Sequence, residues 1–144
     1  MNTGHEGSLT TIHSNTPRDM VSRLETLILM SGVELPLDVI RKQIASSVDL
    51  IVQQSRLRDG SRKVMNITEL ISISGETVTT QDLFIFEELG EQNGQITGRF
   101  IPGGFRPRFD NRLKIHGYDF PPSMFVRPDQ QARLNQTDPR ERRR

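Results

Sequence analysis

Asn2-Thr3-Gly4-His5-Glu6-Gly7-Ser8-Leu9-Thr10-Thr11-Ile12-His13-Ser14-Asn15-Thr16-Pro17 is the stretch from which the rest of the chain is read. It passes from a glycine-rich turn to a strand-like run and then to a helix cap. Gly4 and Gly7 allow positive φ and close backbone approach. Residues 8–13 alternate as a short strand does. On a strand, Leu9, Thr11 and His13 share one face, and Ser8, Thr10 and Ile12 the other. Thr16 offers an N-cap hydroxyl, and Pro17 suits the first helical position. His5 and His13 then stand at the entry and exit of the strand, where side chains meet a ligand at a sheet edge. The alternative for both is a plain surface or core imidazole. A metal centre is not expected: zinc wants three or four ligands, the chain has no Cys, and the third histidine, His116, is remote in sequence.

Working outward, residues 19–31 read as an amphipathic helix, with Met20, Leu24, Leu27, Ile28 and Ser31 on one face and Gly32 as the stop. Arg23 has two readings: an i,i+4 pair with Asp19, or a functional cation. A second helix is expected from Pro36 to about residue 47. Its apolar stripe is Leu37, Ile40, Ile44 and Val48, and Arg41 and Lys42 face solvent. The pattern then turns to strands. Residues 49–73 read as a β-hairpin around the Asp59-Gly60 turn. A third strand is expected over 78–88, centred on Leu83-Phe84-Ile85-Phe86, then a loop marked by Gly90 and Gly94, then a fourth strand over 96–101. Gly103-Gly104 reads as a turn, and residues 106–116 as a short basic helix with Phe109 and Leu113 inward. Residues 118–125 form an aromatic extension. From Arg127 onward the polar, Arg-rich composition predicts a disordered tail.

Composition bounds the function. The chain has 144 residues, 33% hydrophobic content, a net charge of +1 and no Cys, with a mean hydropathy of −0.51. That is enough for one modest domain. Near-neutral charge gives no global case for nucleic acid or a membrane surface. No apolar run is long enough for a membrane span, and the lack of Cys excludes disulfides and thiol catalysis.

The opening stretch closely resembles the histidine box of the type II/type IV secretion ATPases, in particular the CpaF/TadA pilus-assembly branch. The matching positions are Thr3, Gly4, His5, Gly7, Ser8, Thr11, His13, Ser14, Thr16 and Pro17, followed by Arg23-Leu24-Glu25. Residues 44–68 and 98–125 resemble the same family, although Gly103 stands where family members often carry Thr or Ser. The resemblance implies an α/β fold, the C-terminal portion of a RecA-like P-loop ATPase domain with helices on a partial sheet, over residues 1–126, before a tail over 127–144. It implies that His5, His13 and Arg23 are catalytic-site residues near the γ-phosphate, supported by Gly4, Gly7, Ser8 and Thr11. It also implies ATP and Mg²⁺ in the intact family, a hexameric homo-oligomeric ring, an inner-membrane platform protein as partner, and a cytoplasmic location peripheral to that membrane.

A P-loop needs G-x-x-x-x-G-K-[ST]. Lys42 and Lys63 follow Arg and Lys114 follows Leu, so these 144 residues hold no such motif. The expectation is therefore the C-terminal part of a secretion ATPase, a truncated gene, internal start or fragment, that neither holds ATP tightly nor hydrolyses it alone. The competing expectation is a non-catalytic interaction module docking on full-length ATPase subunits.

Overall fold

The computed structural model describes residues 7–130. Helix α1 (Pro17–Met30) starts where the cap residues dictate. Thr16 is extended, its Oγ1 accepts from Asp19 N at 3.1 Å, and Pro17 sits in the first turn. It stops at Gly32, which takes φ +77°, a conformation that a side chain resists. Helix α2 spans Leu37–Ser47. The strands are β1 (Leu50–Arg56), β2 (Arg62–Ser74), β3 (Thr77–Gln92) and β4 (Gln95–Pro102). They form one four-stranded sheet in the order β1-β2-β3-β4, and β3 pairs antiparallel with β4. A short helix α3 (Asp110–Ile115) and a 3₁₀ turn (Pro122–Phe125) follow. The chain thus combines α and β elements, with the expected hairpin over 49–73 in place.

The chain divides into two compact units. The first holds residues up to Gln53 together with Ile67–Gln81. Its core is Met20, Val21, Ile40, Ile44, Ile51 and Leu70, with Ile12, Leu24, Ile28, Val48, Ile73 and Val78 packed around it. The buried stripe of α1 is therefore Met20, Val21, Leu24 and Ile28. Leu27, expected on the buried face of α1, and Leu37, expected on that of α2, are exposed, and Val21 is fully buried. A periodic sequence permits both stripes, and the neighbour that α1 meets selects one. Arg41 also departs from expectation. It faces Glu25, not solvent, with Nε donating to Oε1 at 2.8 Å and Nη2 to Oε2 at 3.3 Å, both side chains under a fifth exposed.

The second unit holds Gln54–Asn66 together with residues from Asp82 onward. Leu83, Ile96 and Phe125 are its buried apolar residues. Phe84 stacks at a tilt on Phe125 at 5.8 Å, and Phe86 meets Phe100 edge-on at 6.0 Å. Of the loop expected at Gly90 and Gly94, only Gly94 lies in a turn, and Gly90 lies within β3. A register shift between Glu88 and Gly90 absorbs the irregularity, and the chain reverses only at Asn93-Gly94 (φ +51° and +73°). The basic helix is shorter than expected, six residues beginning at Asp110, because the Pro107 carbonyl accepts from Asp110 N in a turn. Phe109 and Leu113 are half-buried. Pro128–Gln130 are helical, so ordered structure runs past residue 127; the remainder of the expected tail, 131–144, lies outside the described residues. Among the described residues no helix is long and apolar enough to cross a membrane.

Candidate functional site

Residues 7–14 carry the family-like motif into α1. They form no strand, contrary to expectation. Among the described residues the run pairs with no strand; Gln53 Nε2 donates to the Ser14 carbonyl at 3.1 Å. The alternation expected over 8–13 appears only at its end, since Ser8 and Thr10 are exposed like Leu9 and Thr11. Ile12 turns inward onto the α1–α2 core and Ser14 is half-buried, while Leu9, Thr11 and His13 face solvent. A row bearing a hydroxyl and an imidazole is thus held at two inward points and presented outward. Gly7 takes φ +90°, as a turn glycine does, and Ser8 is exposed. Among the described residues no hydrogen bond reaches the side chains of Ser8, Thr11 or His13. Gly4 and His5 lie outside the described residues.

Arg23 sits two turns into α1 and is exposed, and the ion pair with Asp19 does not form. The rest of its motif is structural. Leu24 joins the core, and Glu25 is the acceptor for Arg41. The Arg41 guanidinium is pushed above its ordinary value, first by the hydrogen bond to Glu25 and then by the charges of Glu25 and Glu76, against the cost of desolvation. Sequence reasoning missed this pair because Arg41 and Glu25 lie on different helices.

Three further features bear on chemistry. Asp59 closes the β1–β2 turn: Oδ1 accepts from Ser61 N and Oγ at 2.9 and 2.7 Å, and Oδ2 from Ile96 N at 2.6 Å. Those donors, the Ile96 amide foremost, hold its carboxyl down at about 2. Glu69 is buried in β2 beside buried Thr68 and accepts from Gln81 Nε2 at 2.7 Å. A shallow hollow of about 390 Å³ lies over Lys63, Phe86, Asn93 and Thr97, and no residue of the 7–16 run lines it.

In the first turn of α1, Pro17 has no N–H, Asp19 N serves Thr16 Oγ1, and Met20 N serves the Thr16 carbonyl. Gly103 is a turn and not a phosphate loop, since its N–H donates to Leu83 O at 2.8 Å and a Cβ there would fall on the Asp82 carbonyl. Among the described residues no group of three or more His, Asp or Glu is placed to hold a metal ion.

A family model described as type II/IV secretion system protein matches residues 1–99. The chain belongs to that family. It is similar to conjugal transfer protein TrbB of Rhizobium radiobacter, with 42% identity over 74 residues, 51% of this chain and 20% of that protein. It is also similar to a Mycobacterium tuberculosis protein named for conjugal transfer, with 32% identity over 75 residues, 52% of this chain and 21% of that protein. The chain spans about a fifth of the length of these curated relatives.

Proposed function

We infer that the chain serves as the C-terminal, RecA-like segment of a secretion-system ATPase of the CpaF/TadA and conjugal-transfer kind. In this reading ATP and Mg²⁺ are held by a P-loop carried on other residues. The row Thr11–His13, with His5, senses the bound phosphate, Ser8 and the glycines support it, and Arg23 faces a subunit boundary. The working protein is a cytoplasmic ring, hexameric as in the family, that drives export or pilus assembly through an inner-membrane platform protein. The observation that carries the reading is the outward-facing His13, anchored through Ile12 and Ser14 within the family-matched region. Phosphoryl transfer depends on positioning and on charge stabilisation, which is work suited to an exposed imidazole on a tethered segment. The relatives' names favour conjugal transfer as the type of machine.

The test is a chimera. The P-loop-bearing part of the Rhizobium radiobacter protein is joined to this chain, and ATP turnover is measured with and without His13→Ala. Turnover that falls at least tenfold in the variant, at an unchanged melting temperature, supports the reading. Equal turnover in both refutes a role for His13. The second reading, a non-catalytic module docking on full-length subunits, draws on the absence of G-x-x-x-x-G-K-[ST] from these 144 residues. Binding of the pure chain to full-length subunits without any effect of His13→Ala distinguishes it.

A further inference from the structure

The hollow beside the β3–β4 turn, in the second unit, brings together a lysine, an aromatic ring and a row of side-chain amides. It measures about 390 Å³, and its walls include Lys63, Phe86, Gln92, Asn93, Gln95 and Thr97. That volume falls within the ~300–1,000 Å³ of small-molecule sites. Lys63, half-buried on β2, makes no ion pair among the described residues. The carboxylates around it are engaged elsewhere. Asp59 feels the Lys63 charge, but its oxygens accept from Ser61 and Ile96. Glu88 and Glu91 are held by Arg58. Arg62, the next residue along, is exposed and likewise has no ion pair among the described residues. Gln92 and Gln95 are partners across the Asn93-Gly94 turn. Among the described residues no hydrogen bond engages the side chains of Gln92, Asn93 or Gln95. Thr97 Oγ1 donates to the Gly90 carbonyl at 3.2 Å, which leaves its oxygen able to accept.

We propose that this hollow binds a small phosphate-bearing ligand of mononucleotide size. The Lys63 ammonium meets the phosphate, the amides meet hydroxyl or amide groups of the ligand's body, and Phe86 gives an apolar surface to its ring. The choice of phosphate follows from the cation. An ammonium is a compact point charge that suits a phosphate, whereas a flat carboxylate is matched better by a guanidinium fork. The choice of a polar body follows from the amides, each of which both donates and accepts. One cation in a shallow hollow holds such a ligand modestly, with a Kd on the order of ~1 mM. The inference does not rest on the histidine reading. Lys63 and residues 92–97 belong to the second unit, whereas His13 belongs to the first.

The experiment follows the backbone amide resonances of the 144-residue chain by NMR during titration, without divalent metal, with adenosine 5′-monophosphate, adenosine and inorganic phosphate. The monophosphate is expected to saturate, with its shifts centred on Lys63 and residues 92–97. Adenosine, which lacks the phosphate, is expected to bind at least tenfold more weakly, and inorganic phosphate, which lacks the body, at least threefold more weakly. Lys63→Gln is expected to lower affinity for the monophosphate at least tenfold, Lys63→Arg to lower it less, and His13→Ala to leave it unchanged. A monophosphate that does not saturate, shifts centred elsewhere, or equal affinity in Lys63→Gln each overturns the proposal. Inorganic phosphate that binds as tightly as the monophosphate also overturns it, since the hollow then holds an adventitious ion only. Should circular dichroism find Lys63→Gln unfolded, Gln95→Ala, at an exposed position, takes its place. It is expected to weaken the monophosphate at least threefold, and equal affinity there overturns the proposal.

Discussion

Replacing Ile40 by Ala probes the platform on which the motif-bearing segment rests. Ile40 is 1% exposed at the centre of the α1–α2–β1–β2 cluster. The substitution removes three carbons, each worth ~0.8 kcal/mol in transfer, or ~2.4 kcal/mol together. The unfilled cavity adds to that, which places the cost at ~3–4 kcal/mol, within the ~2–5 kcal/mol range of such truncations. Against a total of ~5–15 kcal/mol for a typical domain, this is a large share. Leu37→Ala is the control. Leu37 lies on the same helix and fits the same sequence periodicity, but it is 38% exposed. Its loss is expected to cost under ~1 kcal/mol, as surface changes do. Urea titration followed by circular dichroism measures both, with an unchanged m-value confirming that the transition is the same. Equal costs at the two positions would refute the packing that positions Ile12 and, through it, His13.

Thr16→Ala removes the α1 cap and is expected to cost ~1 kcal/mol in the same titration; no loss would mean that the cap bond at Asp19 N is not formed in solution. Gly98→Ala drives a Cβ onto the Phe86 ring and to 2.5 Å from the Glu87 carbonyl, so overpacking on the order of 1–3 kcal/mol is expected, read as a lowered urea midpoint. Asp59 has a folded pKa of about 2, below its ordinary 3.8, so its contribution is fully present above about pH 4 and fades as pH falls toward 2. Glu88, lowered by its hydrogen bond and charge contact with Arg58, works in the same direction. Asp59→Asn is expected to flatten the loss of stability between pH 4 and 2; an unchanged slope would remove Asp59 as its source.

The local grammar of the chain is legible in the sequence. Thr16-Pro17 starts α1, Gly32 ends it, and Asp59-Gly60 turns the first hairpin, because capping and positive φ depend on residues within a few positions. Period two separates Ile12 from His13, but it does not say which face is inward, and Ser8 and Thr10, expected on the face of Ile12, are exposed. What escapes the sequence is long-range. The choice of Val21 over Leu27 for the core depends on where β1 and β2 lie. The Arg41–Glu25 pair needs two helices side by side. The strand expected over 8–13 fails for the same reason, since a strand needs a neighbour. The buried Glu69 gives no sequence signal beyond its place in a β-rich run. The family motif was readable because so many fixed positions fall within Thr3–Pro17.

Phosphate release by the purified chain, with ATP and Mg²⁺ and with His13→Ala in parallel, tests the central claim most directly. The account predicts no turnover above background for either protein, because the histidine segment works only with a P-loop supplied by other residues. Turnover by the unchanged chain that His13→Ala abolishes would contradict it.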